Sequence, residues 1–204
     1  MRAAIGLLVG YAVGSIPFAV LLSRARGGFD VLKEGTRNPG ATNVYKHVGP
    51  LAGAAVGLLD YFKALVPALV AERSLGWGPG AAVALAVGAV LGHDFSIFLG
   101  FRGGKGGAST LGVLTYLDFP ALLATGLLWA ASLPFLKGRR FVAGPSALVL
   151  FPILAALHRA PSAWSILPWG PVAWRLPVLV GAGLALLLWA RILPGHLDER
   201  GGRG

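Results

Sequence analysis

The chain has 204 residues, of which 55% are hydrophobic and only 13% are charged, and its formal net charge is +10. An average soluble domain is about one quarter charged, so this composition favours an integral membrane protein over a soluble one. The sequence contains no cysteine, which excludes disulfides, thiolate catalysis and cysteine-ligated metal sites.

Seven apolar segments follow one another along the chain and predict an all-α, polytopic membrane protein with a single transmembrane domain over residues 1–204. The first segment lacks a basic run and a small-residue cleavage site, so we expect it to remain as a helix. The fourth is short and is separated from the fifth at Asp118 and Pro120, which predicts a short or tilted helix. The segments are residues 3–23, 48–71, 80–99, 107–117, 119–135, 141–157 and 176–193.

The distribution of basic residues predicts the orientation of the chain. If the N-terminus lies outside and all seven segments cross, 13 of the 18 Lys and Arg residues lie on one side, four lie on the other, and Lys63 lies within a span. The positive-inside rule then places the richer side, with the C-terminus, in the cytoplasm. A re-entrant fourth segment would instead turn Lys137, Arg139 and Arg140 outward.

The first glycine-rich loop, residues 24–47, has the composition of an anion-binding site. Its small residues allow backbone N–H groups to converge on an anion, and neutral and basic side chains surround them. The alternative is a solvated turn with ordinary helix caps. The candidate binding residues are Thr36, Arg37, Asn38, Gly40, Ala41, Thr42, Asn43 and Lys46.

The second loop follows the pair His93 and Asp94 and repeats this combination of glycines, hydroxyls and one lysine. It is not a nucleotide P-loop, because Gly106 follows Lys105 and position 99 is a leucine. The alternative is a basic loop that serves membrane topology alone. The candidate binding residues are Gly103, Gly104, Lys105, Gly106 and Ser109.

Polar residues also occur inside the predicted spans. Asp60 and Lys63 are three residues apart and share a helix face, so they can form an ion pair that needs no catalytic role. Each would cost a few kcal/mol at the bilayer centre unless it is paired or faces a polar cavity. Ser15 and Pro17 could kink the first helix and turn a hydroxyl group towards the interior.

The four histidines do not form a recognisable catalytic or metal-binding set. His93 beside Asp94 suggests a general base, but adjacent residues on a helix point in different directions. His47, His158 and His196 are dispersed, so we predict structural roles for them and neither a metal site nor a cofactor.

Four motifs together resemble the bacterial glycerol-3-phosphate acyltransferases that use acyl phosphate, the PlsY family. They occur in the family's order and spacing within the first 110 residues. The resemblance implies a seven-helix membrane fold with cytoplasmic catalytic loops, located in the bacterial cell membrane. The motifs are Gly-Ser-Ile-Pro-Phe at 14–18, Asn-Pro-Gly-Ala-Thr-Asn at 38–43, Asp60 with Lys63 and Pro67, and Gly92-His93 with Gly-Gly-Lys-Gly at 103–106.

The activity implied by the resemblance is transfer of a fatty acyl group from acyl phosphate to the 1-hydroxyl of glycerol 3-phosphate, giving lysophosphatidic acid and phosphate. Acyl phosphate is already activated, so no nucleophilic triad is required. The resemblance implies phosphate binding around residues 38–43 and at Lys105, with Thr36, Lys46 and Ser109 at the substrates and His93 shaping the site. The predicted partners are these two substrates and membrane lipid.

The sequence departs from the family pattern at several of these positions. Thr36 stands where the family usually has serine, Arg37 replaces a glycine, and Lys46 replaces an arginine that would bind phosphate in bidentate fashion. Further departures are Ala64 for glycine, Ser96 for proline and Gly107-Ala108-Ser109 for Val-Ala-Thr. The family's basic tail with His and Asn is replaced by residues 191–198, in which His196 is a partial substitute.

A nonenzymatic paralogue that binds or transports an anionic lipid or phosphate is the alternative from a different class. A transporter would be expected to contain internal repeats, and the sequence has none that we detect. Nucleic acid is disfavoured as a partner, because the basic residues are spread among loops without an interleaved aromatic surface. The sequence predicts neither an acyl-chain preference nor an oligomeric state.

Overall fold

The computed structural model describes residues 1–26, 28–135, 147–157 and 175–201, and within these ranges the regular structure is helical, with no strand. Eight α-helices are present in that part of the chain, and 3₁₀ turns lie at Ile97–Leu99 and Leu133–Phe135. The helices are α1 (Arg2–Gly14), α2 (Phe18–Ala25), α3 (Ala41–His47), α4 (Pro50–Arg73), α5 (Pro79–Asp94), α6 (Gly107–Ser132), α7 (Leu150–Leu157) and α8 (Arg175–Gly201).

Four helical segments of the described residues are long and apolar enough to cross a membrane. A shorter apolar helix covers Pro177–Arg191. The predicted all-helical class is therefore confirmed for the described ranges. The four segments are Arg2–Ala25, Pro50–Arg73, Pro79–Leu99 and Gly107–Ser132.

The predicted fourth segment, 107–117, and most of the fifth, 119–135, fall within α6. This helix is interrupted at Asp118. There the backbone is extended (φ −163°, ψ 89°). Pro120 lacks an N–H group, and the Asp118 carboxylate accepts a 3.0 Å hydrogen bond from the Ala121 N–H. The predicted break is therefore present, but it occupies a single residue, and the second part ends at Ser132 rather than at 135.

Several predicted features lie outside the described residues. These include the first part of the predicted segment 141–157, of which the structure describes α7 and the residues just before it. Lys137, Arg139, Arg140 and His158 also fall outside, and so does the side chain of His196.

The first span is interrupted between α1 and α2, as the Ser15–Pro17 motif predicts. Pro17 precedes α2 and cannot donate a backbone hydrogen bond. The Ser15 hydroxyl donates to the Tyr11 carbonyl at 2.8 Å, so it bonds within its own helix. The break frees the Ser15 and Ile16 carbonyl oxygens for partners on other segments.

The chain divides into two compact units, Met1–Val113 and Leu114–Gly204. In the second unit α7 packs against α8, and the missing side chain of Gly181 leaves room for the Phe151 ring. The first unit contains every candidate site residue, and its helices α1, α4 and α5 pack on one another.

Helices α1 and α5 are in backbone contact along a face of glycines. A Cβ atom at Gly10 would overlap the Leu85 carbonyl oxygen, and one at Gly92 would overlap the Tyr11 carbonyl oxygen. A Cβ atom at Gly6, Gly14 or Gly88 would likewise overlap the backbone of the facing helix. Small residues at this spacing allow membrane helices to approach closely and gain dispersion energy.

Helix α4 buries charged side chains and exposes large apolar ones, as is expected of a helix that faces lipid. Its charged residues Asp60 and Lys63 are buried, whereas Leu58, Phe62 and Val66 are exposed at helical spacing. Large exposed apolar side chains on one helix face mark a surface covered by lipid or by another protein. This arrangement places the charged groups of Asp60 and Lys63 in the interior of the first unit.

Substituting Gly10 by Ala tests the α1–α5 contact. The added methyl group forces the backbones apart, and we expect a loss of about 1–3 kcal/mol in unfolding free energy. Thermal unfolding of the purified protein in lipid nanodiscs measures it. Gly80→Ala is the matched control, because nothing lies within 4 Å of its Cβ position; equal stability of the two variants would contradict the contact.

Candidate active site

Asn43 organises the first loop from the start of α3. Its side chain is fully buried. Its amide nitrogen donates to the carbonyl groups of Val31 and Glu34, both at 3.1 Å, and its side-chain oxygen accepts from the Thr36 N–H at 3.1 Å. Three of its hydrogen-bonding positions are therefore occupied by the loop, and its backbone N–H also donates within the protein, to the Gly40 carbonyl at 3.1 Å.

The turn at residues 30–34, in the first part of this loop, is held by its own acidic residues. Asp30 accepts a hydrogen bond from the Leu32 N–H at 3.0 Å, and its own N–H donates to Glu34 at 3.0 Å. The bond from Leu32 holds the pKa of Asp30 below its usual range, and the nearby Lys33 acts in the same direction. Asp30 is thus charged at neutral pH and fixes the entry to the loop.

Arg37 adopts a left-handed backbone conformation, with φ at +54°. A residue with a side chain pays about 1–2 kcal/mol in this region, whereas glycine does not. The structure thus gives a physical reason why glycine would be favoured at position 37. The neighbouring Gly35 is also left-handed, and a Cβ there would overlap the Asn43 side chain.

A buried cluster of ionisable residues lies beneath the two loops. The Lys63 Nζ atom is 2.7 Å from Asp60 Oδ1, 3.0 Å from His93 Nδ1 and 3.2 Å from the Ile16 carbonyl oxygen. It also lies 5.6 Å from the centre of the Phe18 ring. An ammonium group has three N–H donors, so each of them has an acceptor.

The second loop folds back over the end of α5. The N–H groups of Gly103 and Gly104 donate to the carbonyls of Asp94 (3.1 Å) and His93 (2.9 Å). A Cβ at Gly104 would overlap His93 Nε2, and one at Gly106 would lie 2.7 Å from the Asp94 carboxylate. These glycines are therefore needed for packing against α5, whatever else they contact.

Two serines of this region join segments of the first unit. Ser96 donates to the Ser15 carbonyl at 2.6 Å, which links the second loop to the break in the first span. Ser109 donates to the Asp60 carbonyl at 2.9 Å, so its hydroxyl holds α6 against α4. The hydrogen of the Ser109 hydroxyl is thereby engaged within the protein, whereas its oxygen can still accept hydrogen bonds.

Both loops reach one small, partly open cavity. Its lining includes residues 14–18 of the first span, Pro39 of the first loop and Gly104 of the second loop, together with Lys63 and His93. Leu99 also lines it and packs against the apolar cluster that contains Val31 and Val44. The two loops that the sequence singled out therefore meet at one site.

The predicted site residues divide into three groups by their position relative to this cavity. Ser15, Asp60, Lys63, His93 and Gly104 line it. Thr36, Arg37, Thr42 and Lys46 are exposed, whereas Lys105 is half-buried. The remaining predicted residues are buried or half-buried and are not among the lining residues: Asn38, Gly40, Ala41, Asn43, Gly103, Gly106 and Ser109.

Sequence reasoning did not assign several residues that line the cavity, among them Ile16, Phe18 and Ser96. Phe18 and Ser96 line the cavity, and they contact Lys63 and Ser15, respectively. Ile16 also lines it, and its carbonyl oxygen accepts a hydrogen bond from Lys63. The proline at position 17 was a usable signal for the freed carbonyl, because it interrupts the helix. No local spacing rule connected His93 to the Asp60–Lys63 pair.

The whole-chain comparison decides the family. A family model described as glycerol-3-phosphate acyltransferase matches residues 4–195. The chain belongs to the glycerol-3-phosphate acyltransferase family. A family protein of Gluconobacter oxydans, named glycerol-3-phosphate acyltransferase, is 38% identical over 188 residues, which cover 90% of this chain and 83% of that protein.

A second family member, from Thermotoga petrophila, is named glycerol-3-phosphate acyltransferase and is 43% identical over 122 residues. That alignment covers 60% of this chain and 62% of the relative, so the chain spans less than two thirds of that protein. The crystal structure of PlsY, an integral membrane glycerol 3-phosphate acyltransferase, in its glycerol 3-phosphate form has a TM-score of 0.74 and 27% identity. The match covers 98% of this chain and 94% of PlsY, and with the four apolar helical segments it identifies a multi-pass membrane protein.

Replacing Asn43 by Ala tests its role in ordering the first loop. The change removes three hydrogen bonds, each of which contributes about 1 kcal/mol, and leaves loop carbonyls unpaired. We expect faster amide hydrogen exchange over residues 31–36 and a lower unfolding temperature. Thr42→Ala, at an exposed position of the same helix, should leave exchange unchanged; an unaltered loop in the Asn43 variant would refute the role.

A double-mutant cycle on Asp60 and Lys63 tests the buried ion pair. Asp60→Leu or Lys63→Met alone leaves one buried charge without its counter-ion, and we expect a loss of about 3–5 kcal/mol for each. The double variant removes both charges and should lose clearly less than the sum. Thermal unfolding in a single lipid composition gives the three values, and strict additivity would show that the pair has no coupling.

Proposed function

We propose that this protein transfers a fatty acyl group from acyl phosphate to the 1-hydroxyl of glycerol 3-phosphate. The observation that carries the proposal is the meeting of the two glycine-rich loops at the Lys63–His93 cavity. Family membership supports it, and so do the PlsY structures in a glycerol 3-phosphate form and a lysophosphatidic acid form. The relatives described above are all named as acyltransferases, and the nonenzymatic alternative gains no support from them.

The chemistry suits a site made of hydrogen-bond donors. Acyl phosphate is a mixed anhydride, so the protein has to align the hydroxyl group with the carbonyl carbon and neutralise charge on the departing phosphate. Lys105 supplies a positive charge at the second loop, and Lys46 and Arg37 supply it at the first. Thr36 adds a hydroxyl group on the same loop, and the backbone of residues 38–43 adds N–H donors, apart from those of Gly40 and Asn43, which donate to carbonyl groups of the loop.

The orientation that fits this chemistry has the N-terminus outside and both loops in the cytoplasm, and the seven crossings counted from the sequence would bring the C-terminus to the same side. Two candidate spans, Pro50–Arg73 and Pro79–Leu99, separate the two loops, so the loops return to the same side of the membrane. The excess of Lys and Arg on that side supports its assignment to the cytoplasm. Residues 1–204 act in this proposal as one acyltransferase domain.

An assay on palmitoyl phosphate tests the function and the role of Lys105. Purified protein in nanodiscs should release phosphate from palmitoyl phosphate and form lysophosphatidic acid only when glycerol 3-phosphate is present. Lys105→Ala should lower turnover by about 100-fold, because it removes a cation that stabilises the leaving phosphate.

Lys33→Ala is the matched control for this assay. Lys33 is an exposed lysine that pairs with Asp30 at 3.5 Å and lies away from the cavity lining, so its loss should leave turnover unchanged. Full activity of Lys105→Ala would refute the role of Lys105. Absence of transfer by the wild-type protein, with flux of phosphate into proteoliposomes, would refute the acyltransferase itself.

A further inference from the structure

The tautomer of His93 is determined by its contact with Lys63. An ammonium group can donate hydrogen bonds but cannot accept them. The Lys63 Nζ atom lies 3.0 Å from His93 Nδ1, so Nδ1 must carry a lone pair. In a neutral imidazole the hydrogen is then on Nε2.

The other orientations of the ring fit the surroundings less well. A hydrogen on Nδ1 would point at the ammonium group, and its alternative acceptor, Asp60 Oδ1, is farther away at 3.4 Å. A flipped ring would put a carbon atom opposite Lys63 and lose the 3.0 Å hydrogen bond. Asp60 Oδ1 in turn lies 2.7 Å from Lys63 Nζ and holds it in place.

His93 Nε2 lies on the side of the ring that faces the second loop. The absence of a side chain at Gly104 makes room for this atom, because a Cβ there would overlap it. Gly104 and His93 both line the cavity at which the two loops meet. A hydrogen on Nε2 therefore lies close to the cavity wall, next to the loop that carries Lys105.

We propose that Asp60 and Lys63 are positioning residues that hold His93 as an Nε2–H donor for an anionic oxygen of the bound substrates. This inference deepens the proposed function and rests on it for the identity of the substrates. The buried ion pair acts through His93, since neither residue needs to touch the reacting atoms. An uncharged donor stabilises developing negative charge without having to give up a proton.

Nitrogen-15 NMR of the histidine-labelled protein in lipid, without substrate, measures the tautomer directly. The chain has four histidines, and the His93 signals are those that disappear in His93→Gln. We expect a protonated Nε2 and an unprotonated Nδ1. A wild-type His93 protonated at Nδ1 would overturn the proposal, and this reading does not depend on whether acyl transfer occurs.

Lys63→Met should reverse the tautomer, because Asp60 becomes the remaining partner of Nδ1 and requires a hydrogen there. Turnover of palmitoyl phosphate should fall by about 100-fold, as for loss of one transition-state donor. Lys33→Met is the matched lysine control and should leave both the spectrum and turnover unchanged. An unaltered tautomer in folded Lys63→Met would contradict the positioning role.

Two substitutions of His93 test the proposal even if the Lys63→Met variant does not fold. The amide nitrogen of Gln can occupy the place of Nε2, whereas that of Asn reaches only the place of Nδ1. We expect His93→Gln to stay within about 10-fold of wild type and His93→Asn to lose about 100-fold. The reverse order of activities would overturn the proposal.

The kinetic constants identify which oxygen accepts the hydrogen bond. A higher KM for glycerol 3-phosphate at constant kcat in His93→Asn would place the acceptor on the bound phosphate. A lower kcat at constant KM would place it on the oxygen that becomes charged in the transition state. Unchanged values of both constants would refute a donor role for His93.

Discussion

The ammonium group of Lys63 is the point on which the first unit depends. Its three hydrogens are accepted by a carboxylate on α4, by an imidazole at the end of α5 and by a carbonyl at the break after α1. A buried ion costs several kcal/mol unless charge and hydrogen bonds are both provided. Because the acceptors belong to three different segments, satisfying one ammonium group fixes those segments relative to one another.

The glycines of the second loop illustrate how one residue can meet two demands. In the sequence they indicate close approach of the backbone to phosphate. In the structure Gly103, Gly104 and Gly106 lie against the end of α5, where side chains would collide with His93 and Asp94. The loop is therefore shaped by the protein interior before any substrate arrives, which reduces the ordering cost of binding.

The features that the sequence predicted correctly follow from local rules. The apolar blocks predicted the helices, Pro17 predicted the interruption of the first span, and the spacing of Asp60 and Lys63 placed both on one helix face. The boundaries of the helices depend less on local rules, because α6 continues beyond Asp118 after this single extended residue.

Contacts between distant segments were not predictable in this way. Nothing in the sequence indicated that His93, 30 residues beyond Lys63, would accept its hydrogen bond. The same holds for Asn43, whose side chain bonds the preceding loop, and for Ser109, whose hydroxyl bonds α4. A residue type limits the bonds that a side chain can make, but only the packing of the helices selects the partner.

The glycine contact between α1 and α5 also restricts how a lipid can enter. The two backbones touch along most of their shared length, from Gly6 to Gly14 on α1. A hydrocarbon tail has no space to pass sideways between them. Lateral entry of a fatty acyl chain from the bilayer would therefore require a different part of the surface, since the α1–α5 contact is closed to it.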